Sequence, residues 1–535
     1  MPRAAHAILA LIAIGADAAA AAFAWQPGLA SFHDDSVSYL VMAQAFSPWH
    51  AASAPVLAAW PHEKYPPLFG LLLGLVGAAY DWRWAHLVVA ASFGAGVWLL
   101  GLHAARATAA ASIGVAAALV YALLPGAWLN MKGILSEFPY MALTFGALVA
   151  HRRFTADPRL ARASLLGALI AAAMLTRTIG VALWAALACV EALAYLRARD
   201  AVRARRACAI LGASAAALLA WYVLRPAGGE DAYVQFGGEV ARRTAGEGLA
   251  WFASLAASNA AAIFNAWLNA LVIYWGEATQ PKFLAGAALF AAGLAAIAWR
   301  AGRRELDAIY CAFFLAILVA WPFPGQMYRL ALPVFPLILV ALLWGIAQVL
   351  RTRLAPALAI RGACYAAIIP LAFCVPALFY IAQRANAGAT DKTQGVQDIM
   401  EYYRIPFRPE AEAQAARQLR AFADMDRIRA STREGERVMA HGPAYVALMA
   451  GRHGVALDPV RDAADLTAQV RRGGADYVYL SAIHPRDSAH RLGDPLAPAA
   501  YLAGVATLVW QRPGPDGSLE AALFDVRAIR AERRP

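Results

Sequence analysis

Charge is scarce in this sequence. Asp, Glu, Lys and Arg make up 15% of its 535 residues, against 61% apolar residues and a mean hydropathy of +0.51. A soluble chain carries about a quarter charged residues, so a row of soluble domains is excluded and a polytopic membrane protein is indicated. Cysteine is scarce too. The five present (Cys189, Cys208, Cys311, Cys364 and Cys374) all fall in apolar segments and none forms a CxxC pair, so neither a disulfide framework nor a zinc site is implied. Acidic residues are fewer than basic ones, giving a net charge of +12. The arginines lie in short clusters between apolar segments, where they act as topology signals, and a nucleic-acid partner is excluded.

What is present is a series of apolar segments. The first, residues 4–25, has an apolar run approaching 20 residues, longer than the roughly 7–15 of a secretory signal, and reads as an uncleaved first helix. Further spans are expected at about 84–104, 108–124, 138–150, 162–176, 179–196, 207–224, 283–299, 306–321, 330–350 and 362–382. Two more apolar runs are settled by parity. If residues 66–80 crossed the membrane, the Arg-rich loops 151–162, 197–206, 300–304 and 351–361 would all lie outside. The positive-inside bias therefore makes 66–80 a short re-entrant or interfacial helix in one long first external loop, residues 25–83. By the same test 251–275, with Asn259, Asn265 and Asn269 at helical spacing, is an amphipathic helix on the outer face, within a second external loop, 225–282. About eleven spans result, with the N-terminus inside and the C-terminus outside.

A membrane domain over 1–382 is thus followed by a soluble domain over 383–535, where charges become frequent and apolar runs shrink to strand length. Strands are expected at 436–440, 453–457, 475–481, 505–511 and 521–526, and helices at 443–451, 462–472 and 498–502: a small α/β domain. Pro513-Gly514-Pro515-Asp516-Gly517 is the turn between the last two strands. This domain has no Gly-rich phosphate loop, HExxH or nucleophile elbow, so it is read as binding or covering rather than catalysing.

The chain is organised around Phe32-His33-Asp34-Asp35-Ser36-Val37-Ser38-Tyr39, which sets two carboxylates just beyond the first span. A carboxylate at a membrane boundary is costly unless paired or used; the bland alternative is that one of the two caps a helix beginning at Ser36 or Val37. With the topology above, Asp34, Asp35 and Glu137 fall on the outer side with Lys64, Lys132, Arg177 and Arg329. Carboxylates can take a proton from a hydroxyl and cations can hold a phosphate, so the set suits group transfer from a phosphate-bearing lipid. Each member also has an ordinary reading: Arg177 and Arg329 snorkel to the interface, Lys132 meets headgroups, Glu137 caps a span. His33, His50 and His62 share the first loop without metal-site spacing, so no metal and no cofactor is expected. Trp49, Trp60, Trp82 and Trp84 suit an interfacial aromatic belt.

The series Asp35-Ser36-Val37-Ser38-Tyr39, Tyr65-Pro66-Pro67-Leu68, Ser136-Glu137, and Arg329 four before Pro333 resembles the motifs of GT-C fold glycosyltransferases. Among these it is most like protein O-mannosyltransferases and the aminoarabinose transferase acting on lipid A. The resemblance covers residues 4–381 and, more loosely, the C-terminal domain. It implies a sugar donor linked to polyprenyl phosphate and an acceptor in the envelope (lipid, glycan or protein). By position, Asp35 would be the catalytic base, Asp34 its support, Glu137 an acid orienting acceptor or base, and Arg329 a donor-phosphate contact. Two departures stand out: Ser36 replaces an acid common after the catalytic Asp, and Lys64 lies one residue early for a Lys-Pro-Pro version. The expectation is a glycosyltransferase of the bacterial inner membrane acting with inversion at the periplasmic face. A transporter or lipid flippase is the rival, but it calls for acids within spans and for inverted repeats. A non-catalytic sensor would account for the C-terminal domain and not for the acids.

Overall fold

The computed structural model describes residues 2–25, 28–29, 35–60, 65–225, 232–272, 280–384, 409–482 and 494–531. Asp34 and Lys64, with His33 and His62, lie outside these residues. Helix α1 (Arg3–Ala24) is followed by three short helices, α2 (Ser36–Phe46), α3 (Ala54–Ala59) and α4 (Pro67–Leu75). Nine residues give α4 a length of about 13 Å, far less than the roughly 20 residues a crossing needs. The run 66–80 therefore does not span, as the Arg-rich loops require. Pro67 stands in its first turn, where a missing N–H costs nothing.

The rest of the membrane part comprises α5 (Trp82–Thr108), α6 (Ala111–Ala122), α7 (Pro125–Met131), α8 (Glu137–Ala156), α9 (Leu160–Thr176), α10 (Val181–Ala198), α11 (Ala201–Leu224), α12 (Ala232–Glu247), α13 (Leu249–Val272), α14 (Gln280–Gly302), α15 (Leu306–Val319), α16 (Met327–Leu330), α17 (Phe335–Arg351), α18 (Pro356–Ala366) and α19 (Ile368–Arg384). Among the described residues, eight helices are long and apolar enough to cross a membrane, or nine if α6 and α7, bent by 49°, form one span. Several expected boundaries shift, among them α11, which begins at Ala201, and α8, which runs to Ala156. The span placed at 108–124 continues through that bend to Met131, ahead of which Pro125 restarts the helix. Within Pro324–Arg351, one candidate crossing, the continuous helix placed at 330–350 begins at Phe335, because Pro324 and Pro333 break what precedes it into α16 and two 3-10 turns. The last span starts earlier, at Pro356, and is interrupted at Ala367.

Helix α13 passes the length and composition test for a crossing, against the expectation of an outer-face helix that does not span. Asn259 donates to the carbonyls of Val319 and Trp321 at 2.8 and 2.6 Å, and Trp267 donates to that of Gly286 at 3.1 Å. Trp267 also packs edge-on against Phe335, 5.5 Å between centroids. Val319, Trp321 and Phe335 flank the connection that carries Arg329, while Gly286 lies near the start of α14.

Two helices are buried almost all round, the signature of a helix with no solvent or lipid face. Twelve of the 17 residues of α17 and fourteen of the 20 of α8 are buried. Glu137 is the first residue of α8, and Arg329 lies on α16, a few residues ahead of α17, so two candidate site residues adjoin the most buried long helices. The opposite ends of α8, α10 and α14 meet in ion pairs from the Arg-rich loops: Arg152–Glu305 at 2.6 Å, and Arg203–Glu191 and Arg300–Asp307 at 2.7 Å. Candidate site and Arg-rich loops thus occupy opposite ends of one bundle. Close packing in between depends on glycine where α5 crosses α6. A Cβ on Gly114 would lie 2.5 Å from the carbonyl oxygen of Gly101 and 2.7 Å from the Ala105 methyl. Gly114→Ala is expected to cost about 1–3 kcal/mol through overpacking, read as a lowered Tm in detergent.

The C-terminal part is a five-stranded mixed sheet of order β2-β1-β3-β5-β4, with β1 (Arg437–Ala440), β2 (His453–Ala456), β3 (Tyr477–Ser481), β4 (Thr507–Pro513) and β5 (Leu519–Asp525). Strand β1 pairs in parallel with β2 and β3, and β5 pairs antiparallel with β3 and β4. Side chains alternate between its faces. Val438, Tyr479 and Leu523 pack with Phe422, Met425 and Ile428 of α20 (Pro409–Ser431). Met439, Val478, Leu480 and Phe524 pack with Leu466 and Val470, which lie on Ala463–Gly473. All five strands lie within two residues of their expected ends; α20 was not expected. A small apolar cluster, Val41, Val56, Ala59 and Ala447, joins this domain to α2 and α3 of the first loop.

Candidate active site

Asp35 directly precedes α2, but it makes no side-chain cap bond to that helix. The capping alternative therefore fails for Asp35. Its Oδ1 accepts from the Tyr65 hydroxyl at 2.6 Å and its Oδ2 from Arg329 Nη1 at 2.7 Å. Arg329 comes from the far end of the membrane part, 294 residues later in the chain. Its guanidinium also turns Nε toward Glu137 Oε1, 3.3 Å away, so one planar fork spans two acids. Glu137, the first residue of α8, has no exposed surface and is held by Arg177 Nη1 at 2.7 Å. A helix N-terminus favours the negative charge there.

The exposures grade inward. The Asp35 side chain is 23% exposed, Arg329 11%, Arg177 13% and Glu137 0%. A substrate arriving from water meets Asp35 first and Glu137 not at all. Glu137 thereby acts as the counter-charge that fixes two guanidiniums, while Asp35 has a face open to a ligand.

Hydroxyls staple the loop of Asp35 to the turn before α8. Ile134 N–H donates to Ser36 Oγ at 3.0 Å, the Tyr39 and Ser136 hydroxyls lie 2.7 Å apart, and Arg177 donates to Ser136 Oγ at 3.1 Å. Burial pushes the Tyr39 phenol far above its usual pKa, so it serves as a neutral hydrogen-bond partner. Its ring rests on Tyr65 and Phe69 at 4.9 and 4.8 Å. Tyr65, Ser36 and Ser136 are thus parts of the site that carried no role in the sequence. Their only signal was membership of the same short motifs as the charges.

The structure brings Asp35, Glu137, Arg177 and Arg329 together. Lys132 is fully buried, with Nζ 4.6 Å from the centroid of Phe23, and burial holds its ammonium down to about 8. Its ammonium thus meets an aromatic ring of α1 rather than open solvent. Asp34 and Lys64 lie outside the described residues; in the sequence they immediately precede Asp35 and Tyr65. Among the described residues no group of three or more His, Cys, Asp or Glu could hold a metal ion.

No protein-family model and no curated protein matches this sequence. Solved structures do match in fold. ArnT from Cupriavidus metallidurans superimposes with a TM-score of 0.51 at 12% identity in its apo state, over 98% of this chain and 99% of ArnT. Its complex with undecaprenyl phosphate gives 0.51 at 13% identity, over the same shares. The Archaeoglobus fulgidus oligosaccharyltransferase, tethered to an acceptor peptide containing the NVT sequon, gives 0.50 at 14% identity, over 98% of this chain and 74% of that one. The chain has the GT-C fold, membrane part and C-terminal domain together.

Proposed function

We propose that this protein is an integral-membrane glycosyltransferase that moves a sugar from a polyprenyl-phosphate carrier to an envelope acceptor. One observation carries the reading: a partly exposed carboxylate, Asp35, shares a guanidinium with a buried one, Glu137, at one end of a bundle whose fold matches a protein seen with undecaprenyl phosphate. The acceptor hydroxyl gives its proton to Asp35 as its oxygen attacks the anomeric carbon. The bond from that carbon to the phosphate oxygen breaks, its electron pair leaves with the lipid phosphate, and the configuration inverts. Arg329 moves from Asp35 toward the leaving phosphate, freeing the base as it neutralises the developing charge. The described cluster is already balanced, two acids against two guanidiniums. A phosphate brings charge of its own, and Lys64, next to Tyr65 in the sequence, is proposed as the cation that meets it. Arg177, committed to Glu137, acts by positioning, and Asp34 supports Asp35.

The reading sets the site and the C-terminal domain on the periplasmic face of a bacterial inner membrane, with the Arg-rich loops in the cytoplasm. Reporter fusions after Arg153, Arg206 and Arg304 are expected to report cytoplasm, and fusions after Gly238 and Arg437 the outside. Opposite sidedness at Arg153 and Arg206 would overturn that orientation.

Asp17 favours the rival reading, a lipid flippase, because it is an acid within a span, packed beside Gly94 of α5. The two readings separate in detergent. Purified protein with a polyprenyl-phosphate sugar and an envelope extract should consume the donor, whereas a flippase has no vectorial signal there and turns nothing over. No sugar transfer, together with proton-dependent lipid movement in liposomes, rejects the glycosyltransferase.

A further inference from the structure

A cavity of about 450 Å³ lies at the end of the bundle opposite Asp35, among the inner ends of α5, α8, α10, α11 and α15. Its polar lining is organised as two chains of the same type. His103 Nε2 lies 2.9 Å from Asp307, which Arg300 holds at 2.7 Å; His151 Nε2 lies 2.9 Å from Glu191, which Arg203 holds through two bonds of 2.7 and 2.8 Å. The other lining acids are also occupied. Glu305 accepts from Arg152 at 2.6 Å, and Asp200 accepts the amides of Val202 and Arg203 at 3.0 Å. Every carboxylate facing the cavity thus has a donor.

The converse does not hold. Arg197 and Arg304 line the cavity and make no ion pair among the described residues. His103 is 1% exposed and its Nδ1 has no partner, and Arg152 Nε is buried without an acceptor. With Nε2 donating to an ionised Asp307, the His103 ring can become a second donor at Nδ1 when an anion stands beside it. What the site lacks is acceptors, and buried donors left without them are costly. An apolar wall, Leu148 and Val190, completes the lining.

We propose that this cavity binds a phosphate-bearing anion, held by the guanidiniums of Arg197 and Arg304 with His103 at its base. A guanidinium matches phosphate oxygens in geometry as well as charge. Basic pockets between helix ends are also where anionic lipid headgroups dock. The occupant bridges α5, α10 and the α14–α15 turn, so its binding stabilises the end of the bundle remote from the reaction. This site is separate from the transfer reaction proposed above and stands or falls without it.

The test is thermal unfolding of the purified full-length protein in detergent, titrated with phosphatidylglycerol, with phosphatidylcholine or with inorganic phosphate. Wild type is compared with Arg197→Gln and with the double variant R197Q/R304Q. Because Arg197 is exposed, its replacement leaves the folded bundle in place. Phosphatidylglycerol should raise the wild-type Tm, and each lost guanidinium should weaken that response on the order of tenfold in lipid concentration, while phosphatidylcholine leaves all three proteins alike. A rise with inorganic phosphate but not with phosphatidylglycerol assigns the site to a free anion. The same dependence in wild type and double variant, or no rise of wild type with either anion, overturns the proposal.

Discussion

Asp35→Asn is expected to lose about 10²–10⁴-fold in sugar transfer, some 2.7–5.4 kcal/mol of transition-state stabilisation, while the protein still inserts and folds. Asparagine keeps the size of Asp35 and one carbonyl oxygen, so it can still accept from Tyr65 or Arg329, whose bonds of 2.6 and 2.7 Å now hold the carboxylate. It cannot take a proton from a hydroxyl. The folding cost is small because Asp35 is partly exposed and Arg329 retains Glu137 as a partner. The measurement is turnover of a polyprenyl-phosphate sugar by purified protein, alongside its Tm. Asp34→Asn should lose less, since it only supports its neighbour. Full activity in Asp35→Asn with loss in Asp34→Asn would move the base by one residue.

Much of this architecture was legible in the chain because its causes are local or periodic. The strands of the C-terminal sheet are short apolar runs set between charged stretches, so β1 to β5 fall close to their expected positions. The short helix α4 emerged from counting arginines rather than from its own residues, since its apolarity alone resembles that of a span. The clustering of Asp35, Glu137, Arg177 and Arg329 followed from the same parity argument, which sorts residues by bundle end without fixing any contact. Contacts were less legible. Tyr39 and Ser136 meet across 97 residues, and Asp35 and Arg329 across 294. A hydroxyl or guanidinium gives no local sign of so distant a partner. Lys132 shows the same limit, because a lysine at a helix end can reach water or turn inward, and the packing of α1 against α7 turns it onto Phe23. Helix α20 was missed because its charged composition gave no clear apolar stripe until Phe422, Met425 and Ile428 met the sheet. The bend after α6 and the broken stretch before α17 both come from prolines set inside apolar runs, which hydropathy alone reads as continuous.

Arg329→Ala should be nearly inactive, and Arg329→Lys partly active. Arg329 is the one side chain in the described site that touches both acids, Asp35 through Nη1 at 2.7 Å and Glu137 through Nε at 3.3 Å. Removing it takes away a charge-assisted contact to the leaving phosphate, worth about 2–4 kcal/mol in the transition state, or roughly 30- to 1000-fold in rate. A purely structural role predicts another pattern, in which Tm falls and the surviving folded fraction keeps normal kcat and donor affinity. Glu137 remains paired with Arg177 at 2.7 Å in the alanine variant, so the buried carboxylate is not stranded and the fold should hold. Lysine restores the charge but not the planar fork. It can face the phosphate or an acid, not bridge two acids at once, so some of the rate returns with an altered split between KM and kcat. The decisive comparison is donor affinity and single-turnover rate for wild type, Ala and Lys at equal folded concentration. Normal turnover with normal donor affinity in Arg329→Ala would remove Arg329 from the reaction and leave it as a tether of α16 to the start of α2 and to α8.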